Sequence, residues 1–478
     1  MRIESLNKTI VIILCLLAAY SCNHKIDTPT PDLKLGQSNV VLEEGESVTV
    51  KITSGNGSYK TSAASAGIVT AQVIDNKEII ISGLKKGTAT ITVTDARNKS
   101  ATIGIEVKEV EPDNTPPPMV RGFMSPRAES LNFQTIQDMK TWGANLMRLQ
   151  IFPVKWATDK KQDIWAALPS YLDLLQQHID HAAGLGMKVV IDLHEPPVLK
   201  DGKVTDATYW GTDEFWNRTD LLPDFIKMWE QIAERFKGPG YDNVIYGYDI
   251  YNEPQHTRTG TSNKIPYVWR EKMAQPIVNA IRKIDKDVWI IYEPGPWGNT
   301  DGYRTFDNKP LLPLEDDRVM YSIHYYTPQS SLTHVGLDEH RDPVKFTREQ
   351  VLQAINKQYP GVLDNSSKVW NKDALRETLQ PVIDFQTKYN VPVYVGEFSI
   401  ISWVPVSSSV NWLTDVISLF EELKWPWSYH AFREWQGWSL EHPEGIDAFW
   451  FSNQTPPRQV TGETERAKVI KAALKKNN

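Results

Sequence analysis

Two glutamates close apolar runs in this chain. Tyr251-Asn252-Glu253-Pro254 ends the run Val244-Ile245-Tyr246-Gly247-Tyr248-Asp249-Ile250, which reads as a buried strand. Asn-Glu-Pro at its end sets an amide beside a carboxyl at a strand-to-loop exit. Glu397 holds the equivalent place in Val391-Pro392-Val393-Tyr394-Val395-Gly396-Glu397-Phe398. In a β/α barrel that rim is where chemistry sits. Carboxyls on two strand ends are what cleavage of a glycosidic bond requires, one protonating the leaving oxygen and the other attacking or activating water.

These side chains need strands to hold them. Candidates are Met119–Met124, Ala144–Leu149, Met187–Leu193, Val244–Tyr251, Val288–Tyr292, Val319–Tyr325, Val391–Phe398 and Pro426–Phe432, with amphipathic stretches between them. In Tyr171–Leu185, for example, Leu172, Leu175, Ile179 and Ala183 recur near one or two helical turns. Eight strands alternating with helices fit an α/β fold, a (β/α)8 TIM barrel with loop insertions. Doubly wound sheets alternate in the same way, and the polar residues at strand ends favour the barrel.

Those ends carry Arg148 on strand two, His194 after strand three, Asn252 and Glu253 after strand four, His324 and Tyr326 after strand six, Glu397 on strand seven and Trp435 beyond strand eight. In this order the chain resembles glycoside hydrolase family 5, the cellulase family, over essentially all of residues 119–478. Tyr246, where the family usually has an aliphatic residue, and Gln255 depart from its signature without touching the chemistry. The resemblance implies a retaining enzyme without a cofactor. Glu253 would be the general acid and later base, holding a proton at working pH. Glu397 would be the ionised nucleophile, favoured by Arg148. Asn252 would bond the sugar 2-hydroxyl and Tyr326 would orient Glu397. His194 and His324 would line the central subsite, and Trp435 would be the floor on which sugar stacks, with Trp438 as the competing platform.

Other residues are more ambiguous. His178 and His181 sit at helical spacing i, i+3; a solvated helix face is favoured over a metal pair, and no His-Glu-x-x-His or cysteine cluster implies a catalytic metal. Trp156, Trp165, Trp210, Trp216, Trp297 and Trp403 fall on segments after strand ends, as core or as sugar platforms. Glu293 ends strand five with no role that follows from position alone.

The N-terminal part has a different character. Arg2 and Lys8 precede the apolar stretch Thr9–Ala19, shorter than the roughly 20 residues of a membrane span, so it reads as a signal-peptide core. Ala19-Tyr20-Ser21-Cys22 resembles a bacterial lipobox, in which residues 1–21 are removed and Cys22 is lipidated. Ordinary secretion near Ser21 is the alternative. Of the 2 cysteines neither lies beyond Cys22, so no disulfide framework exists. Residues 22–32 read as a tether. Residues 33–108 contain no Trp and alternate apolar with polar, as in Ser47-Val48-Thr49-Val50-Lys51-Ile52 and Thr88-Ala89-Thr90-Ile91-Thr92-Val93, which indicates a small all-β sandwich. Its stretch Ile81–Val93 resembles bacterial Ig-like domains. A spacer role is favoured over glycan binding because exposed aromatic platforms are missing. Residues 109–118 form a linker ending in Pro116-Pro117-Pro118.

All 17 tryptophans lie in residues 119–478, and the net charge of −7 on 478 residues argues against nucleic-acid binding. The expected protein is a monomeric, lipid-anchored envelope hydrolase of a β-linked polysaccharide, cutting β-1,4-glucan internally. β-Mannan, xyloglucan and β-1,3-glucan are the alternative substrates, and a glycan-binding surface lipoprotein is the non-enzymatic rival.

Overall fold

Alternation of β-branched and polar residues builds the first of two units, Met1–Asp113 and Asn114–Asn478. The structure, a computed structural model, describes residues 30–108, 117–203, 207–255, 268–304, 310–335, 347–363, 367–450 and 458–477. The lipidation candidate Cys22 lies outside them. Among the described residues no helix is long and apolar enough to cross a membrane.

In the first unit eight strands run β1 (Lys34–Leu35), β2 (Asn39–Glu43), β3 (Ser47–Ser54), β4 (Lys60–Ala63), β5 (Val69–Ile74), β6 (Glu78–Gly83), β7 (Gly87–Thr94) and β8 (Ser100–Lys108). They form two four-stranded sheets, ordered β1-β3-β6-β5 and β2-β8-β7-β4. The pairing is antiparallel except for β2 with β8, which run parallel. Every second residue turns inward, so Val50, Ile79 and Ile81 of one sheet share a core with Leu42, Ile91, Val93, Ile103 and Ile105 of the other.

The second unit is a closed parallel barrel, as the polar residues at the strand ends favoured. Its strands are β9 (Arg121–Met124), β10 (Leu146–Ile151), β11 (Lys188–Leu193), β12 (Ile245–Asp249), β13 (Ile290–Tyr292), β14 (Val319–Tyr325), β17 (Val393–Phe398) and β18 (Trp427–Tyr429), with β18 pairing back to β9. A short ribbon, β15 (Gly361–Val362) and β16 (Val369–Trp370), lies in the long β14–β17 connection. Gly122 makes closure possible: a Cβ there would lie 1.8 Å from the Leu146 carbonyl oxygen. The helix read in Tyr171–Leu185 runs Ile164–Gly184.

Period-two alternation sorts the barrel interior into layers. Val120, Leu146, Val190, Tyr246, Ile291, Met320 and Tyr394 form an apolar plug. Two residues further along their strands come Arg148, Asp192, Glu293 and Ser322, all fully buried. The polar layer therefore rests on a dry floor.

Two local irregularities aim the key side chains. The β14–β17 register slips so that Ile323 faces Val395 but His324 faces Glu397. Gly396 is the extra residue, and this bulge turns Glu397 to the same side as Tyr394, which strict alternation would forbid. A Cβ at Gly396 would come within 2.9 Å of His324 Nε2, so glycine is required there. Strand four ends at Asp249 rather than Tyr251. Asn252 is still pinned by its backbone N–H to the Leu193 carbonyl at 3.0 Å, but Glu253 is on the loop, with φ at 46°.

Candidate active site

Arg148 is the hub. Its guanidinium donates to Glu397 Oε1 at 2.7 Å, to Asp249 Oδ2 at 2.9 Å and to Asn252 Oδ1 at 2.9 Å. Asp192 Oδ1 and Glu293 Oε1 stand 3.0 and 3.4 Å from the same Nη2. One cation thus faces four buried carboxyls from four strands or strand ends. The excess negative charge must be relieved by protons or by further cations. Burial, with Glu293 and Asp192 close by, pushes the Asp249 carboxyl well above the usual carboxylate range against the pull of Arg148.

Two histidines supply the further cations. His324 Nδ1 lies 2.8 Å from Glu253 Oε1 and 3.6 Å from Glu397 Oε2, and its Nε2 is 3.1 Å from Glu293 Oε1. Burial opposes its charge, but Glu293 and Glu397 outweigh that and hold the imidazole well above its ordinary range. His430 Nδ1 approaches Glu397 Oε2 at 2.8 Å, and its Nε2 meets Glu434 at 3.0 Å. Burial pushes His430 down, yet Glu397 and Glu434 carry it up to about 9.

Glu397 collects these interactions. Tyr326 donates its hydroxyl to Oε2 at 2.8 Å. Burial alone would raise the Glu397 carboxyl, but His324, His430 and Arg148 reverse the sign and hold it well below the usual range. Glu253 differs: its side chain keeps 17% of its surface accessible. Its backbone N–H donates to Glu293 Oε2 at 2.8 Å, which anchors the left-handed residue that projects the carboxyl into the cleft.

The outer residues have clear places. His194 Nδ1 contacts Asp192 at 2.8 Å and its Nε2 lies 3.3 Å from Asn252 Nδ2, so the Asn252 amide is oriented from both sides. Trp438 is buried and stacks under Tyr326 with centroids 5.7 Å apart. Trp435 is half-buried, edge-on to Trp438 at 4.9 Å, and offers the freer face of the two. A Cβ on Gly437 would fall 2.1 Å from the Trp435 ring.

The structure thus gathers Arg148, His194, Asn252, Glu253, His324, Tyr326 and Glu397 into one network, with Trp435 beyond Trp438 at its edge. It adds Asp192, Asp249, Glu293, His430 and Glu434. His178 is no ligand and is not on a solvated face: it is buried, with Nε2 3.0 Å from the Ala128 carbonyl, and His181 stacks on Phe133. Trp216 and Trp403 are core, whereas Trp156, Trp165, Trp210 and Trp297 are partly exposed. Glu253, His324 and Glu397 each offer an atom within 4.8 Å of the others, a spacing that could admit a cation. His324 Nδ1 already stands between the two carboxyls, 2.8 Å from Glu253 and 3.6 Å from Glu397.

A parallel eight-stranded barrel with one carboxyl on the loop after strand four and another on strand seven defines a class of glycosidase. Residues 115–434 match the family described as Cellulase (glycosyl hydrolase family 5), and the chain belongs to that family. Endoglucanase C of Acetivibrio thermocellus is 24% identical over 266 residues, covering 53% of this chain and 69% of the relative. Cellodextrinase A of Ruminococcus flavefaciens is 24% identical over 289 residues, covering 60% and 74%. A solved glycoside hydrolase structure superposes with TM-score 0.54 at 22% identity, over 74% of this chain and 99% of that one, a likeness of fold. Residues 37–108 match the Pilus formation protein N terminal region, which replaces the bacterial Ig-like family as the likeness of this all-β unit.

Proposed function

We propose that this chain is a retaining endo-β-1,4-glucanase working by double displacement, with Glu397 as nucleophile and Glu253 as acid/base. The spacing of those two carboxyls carries the reading. One oxygen of each lies within 4.8 Å of the other, a nearest approach that favours the shorter of the two spacings. Retention calls for carboxyls about 5–5.5 Å apart, and inversion needs about 6.5–9.5 Å to admit a water. The relatives named endoglucanase and cellodextrinase favour a β-1,4-glucan.

The two carboxyls divide the labour. Glu397 is held ionised and attacks the anomeric carbon, while the glycosidic oxygen leaves with a proton from Glu253. In the second step Glu253 takes a proton from water, whose oxygen replaces Glu397 on the sugar. Asn252 uses its Oδ1 on Arg148 and one N–H toward His194, which leaves one N–H for the sugar 2-hydroxyl. That contact strengthens as the ring approaches the oxocarbenium ion. Trp435 is the stacking floor. Cys22 carries a lipid anchor to the bacterial cell envelope, residues 1–21 being its signal, and the N-terminal all-β sandwich is a spacer.

Product analysis tests the substrate. Residues 23–478 are incubated with carboxymethylcellulose, mixed-linkage glucan, xyloglucan, glucomannan and galactomannan, with Glu397→Ala as the inactive control that still binds. Oligosaccharides from glucans alone support the proposal; release from galactomannan makes it a mannanase. Newly formed α-anomers seen first by NMR would rule out retention. Cys22→Ala is expected to release the protein from membranes, and continued membrane association overturns the anchor.

A further inference from the structure

His430 follows the last barrel strand, and both its ring nitrogens face carboxylates. Nδ1 is 2.8 Å from Glu397 Oε2, and Nε2 is 3.0 Å from Glu434 Oε2. An ionised carboxylate only accepts, so Nε2 carries a hydrogen toward Glu434. Nδ1 is hydrogen-bonded to the Tyr326 hydroxyl, and because Tyr326 gives its one hydrogen to Glu397 Oε2, Nδ1 carries a hydrogen as well. The ring packs at a tilt against Trp438, with centroids 4.8 Å apart, and the Tyr326 hydroxyl sits 2.6 Å from Nδ1. Tyr326 also donates to Glu397 Oε2. The same carboxylate oxygen thus receives the Tyr326 hydrogen and stands at ion-pair distance from the imidazole.

We propose that His430 is a positioning residue for the nucleophile: as an imidazolium spanning Glu397 and Glu434, it keeps Glu397 ionised before attack and stabilises it as a leaving group in the second step. The inference rests on the retaining reading of this site. In the first step a lone pair of Glu397 forms the ester bond to the anomeric carbon, and its negative charge is lost. In the second, water adds to that carbon with its proton passing to Glu253, and the ester electrons return to Glu397. The returning charge meets the Tyr326 hydroxyl and, at ion-pair distance, the His430 imidazolium behind it, held in place by Glu434, as an oxyanion meets a preorganised donor.

The groups that face His430 are few. Glu397 comes from β17, Tyr326 from beyond β14 and Glu434 from its own loop. Across Glu397 stand Arg148 and His324, both positive; across Glu434 stands His194. The other cations work against a third charge, and the two carboxylates outweigh them, which agrees with the upward shift of His430 to about 9.

The test uses His430→Asn, His430→Gln and Glu434→Gln in the full chain, with a dinitrophenyl β-cellobioside whose good leaving group makes the second step limiting. His430→Asn keeps a donor near Glu397 without the charge. Both His430 variants are expected to lower kcat by about 10²-fold, with accumulation of the glycosyl-enzyme seen by mass spectrometry. The acid limb of kcat/KM is expected to rise by about 1 pH unit or more. Glu434→Gln is expected to pull the alkaline limb down, because it lowers the proton affinity of His430. Unmoved limbs and an unchanged kcat in folded variants overturn the proposal; so does His430→Asn behaving as wild type, which would leave only a neutral hydrogen bond. A fluoro-sugar label trapped on Glu397 of the wild type tests the retaining reading separately, so the two failures are distinguishable.

Discussion

Removing Arg148 would leave Glu397, Asp192 and Glu293 buried around a missing cation. Arg148→Ala is therefore expected to destabilise the barrel by about 3–5 kcal/mol, measured by denaturant unfolding. Arg148→Lys would keep the charge and lose the fork that reaches Glu397 and Asp249 at once; turnover is expected to fall while most of the stability remains. The same network sets a pH window. Glu397 is depressed, so its contribution is present above the ordinary carboxylate range and is lost only as pH falls through its low value. His430 is raised from 6.5 to about 9, so its contribution is complete below 6.5 and is lost as pH climbs through 9. Melting temperature followed against pH is expected to hold into mild acid and to drop on the alkaline side.

At the scale of elements, two glycines make sharp predictions. Gly122→Ala drives a Cβ against backbone that cannot turn aside. A loss of more than about 3 kcal/mol is expected, read as insoluble expression or a collapsed melting temperature. Gly437→Ala meets only the tip of the Trp435 side chain, so the fold is expected to survive. If Trp435 is the sugar floor, KM rises about three- to tenfold; an unchanged KM moves the floor elsewhere. The elements themselves were legible because eight apolar runs separated by amphipathic stretches leave few architectures. Their ends were less so. The fourth strand read through to Tyr251 because Ile250 and Tyr251 are apolar, yet both are buried outside the ladder. The inward turn of Glu397 depends on a bulge at Gly396 that alternation does not announce. Asp192, Asp249 and Glu293 left a faint signal, lone acids inside apolar runs that only a buried partner could tolerate. That partner, Arg148, is distant in sequence. His430 was hidden because Pro426–Phe432 read as one strand, and Glu397, one of its two carboxylates, becomes its neighbour only when the strands pair.

Among the described residues, the hydrophobic core of the sandwich shares no residue with the cores around and inside the barrel. Calorimetry is expected to show two transitions, and removal of residues 1–113 is expected to leave kcat on a soluble oligosaccharide unchanged. A single transition, or a truncated barrel that fails to fold, would show that the units depend on one another. The backbone of Glu253 has a further consequence. At φ 46° this residue occupies ground where glycine or asparagine rests more easily. Selection for folding alone would therefore drift toward those residues here and discard the carboxyl. A descendant freed from its substrate would carry that scar first: a protein that melts later, binds sugar and no longer cuts it.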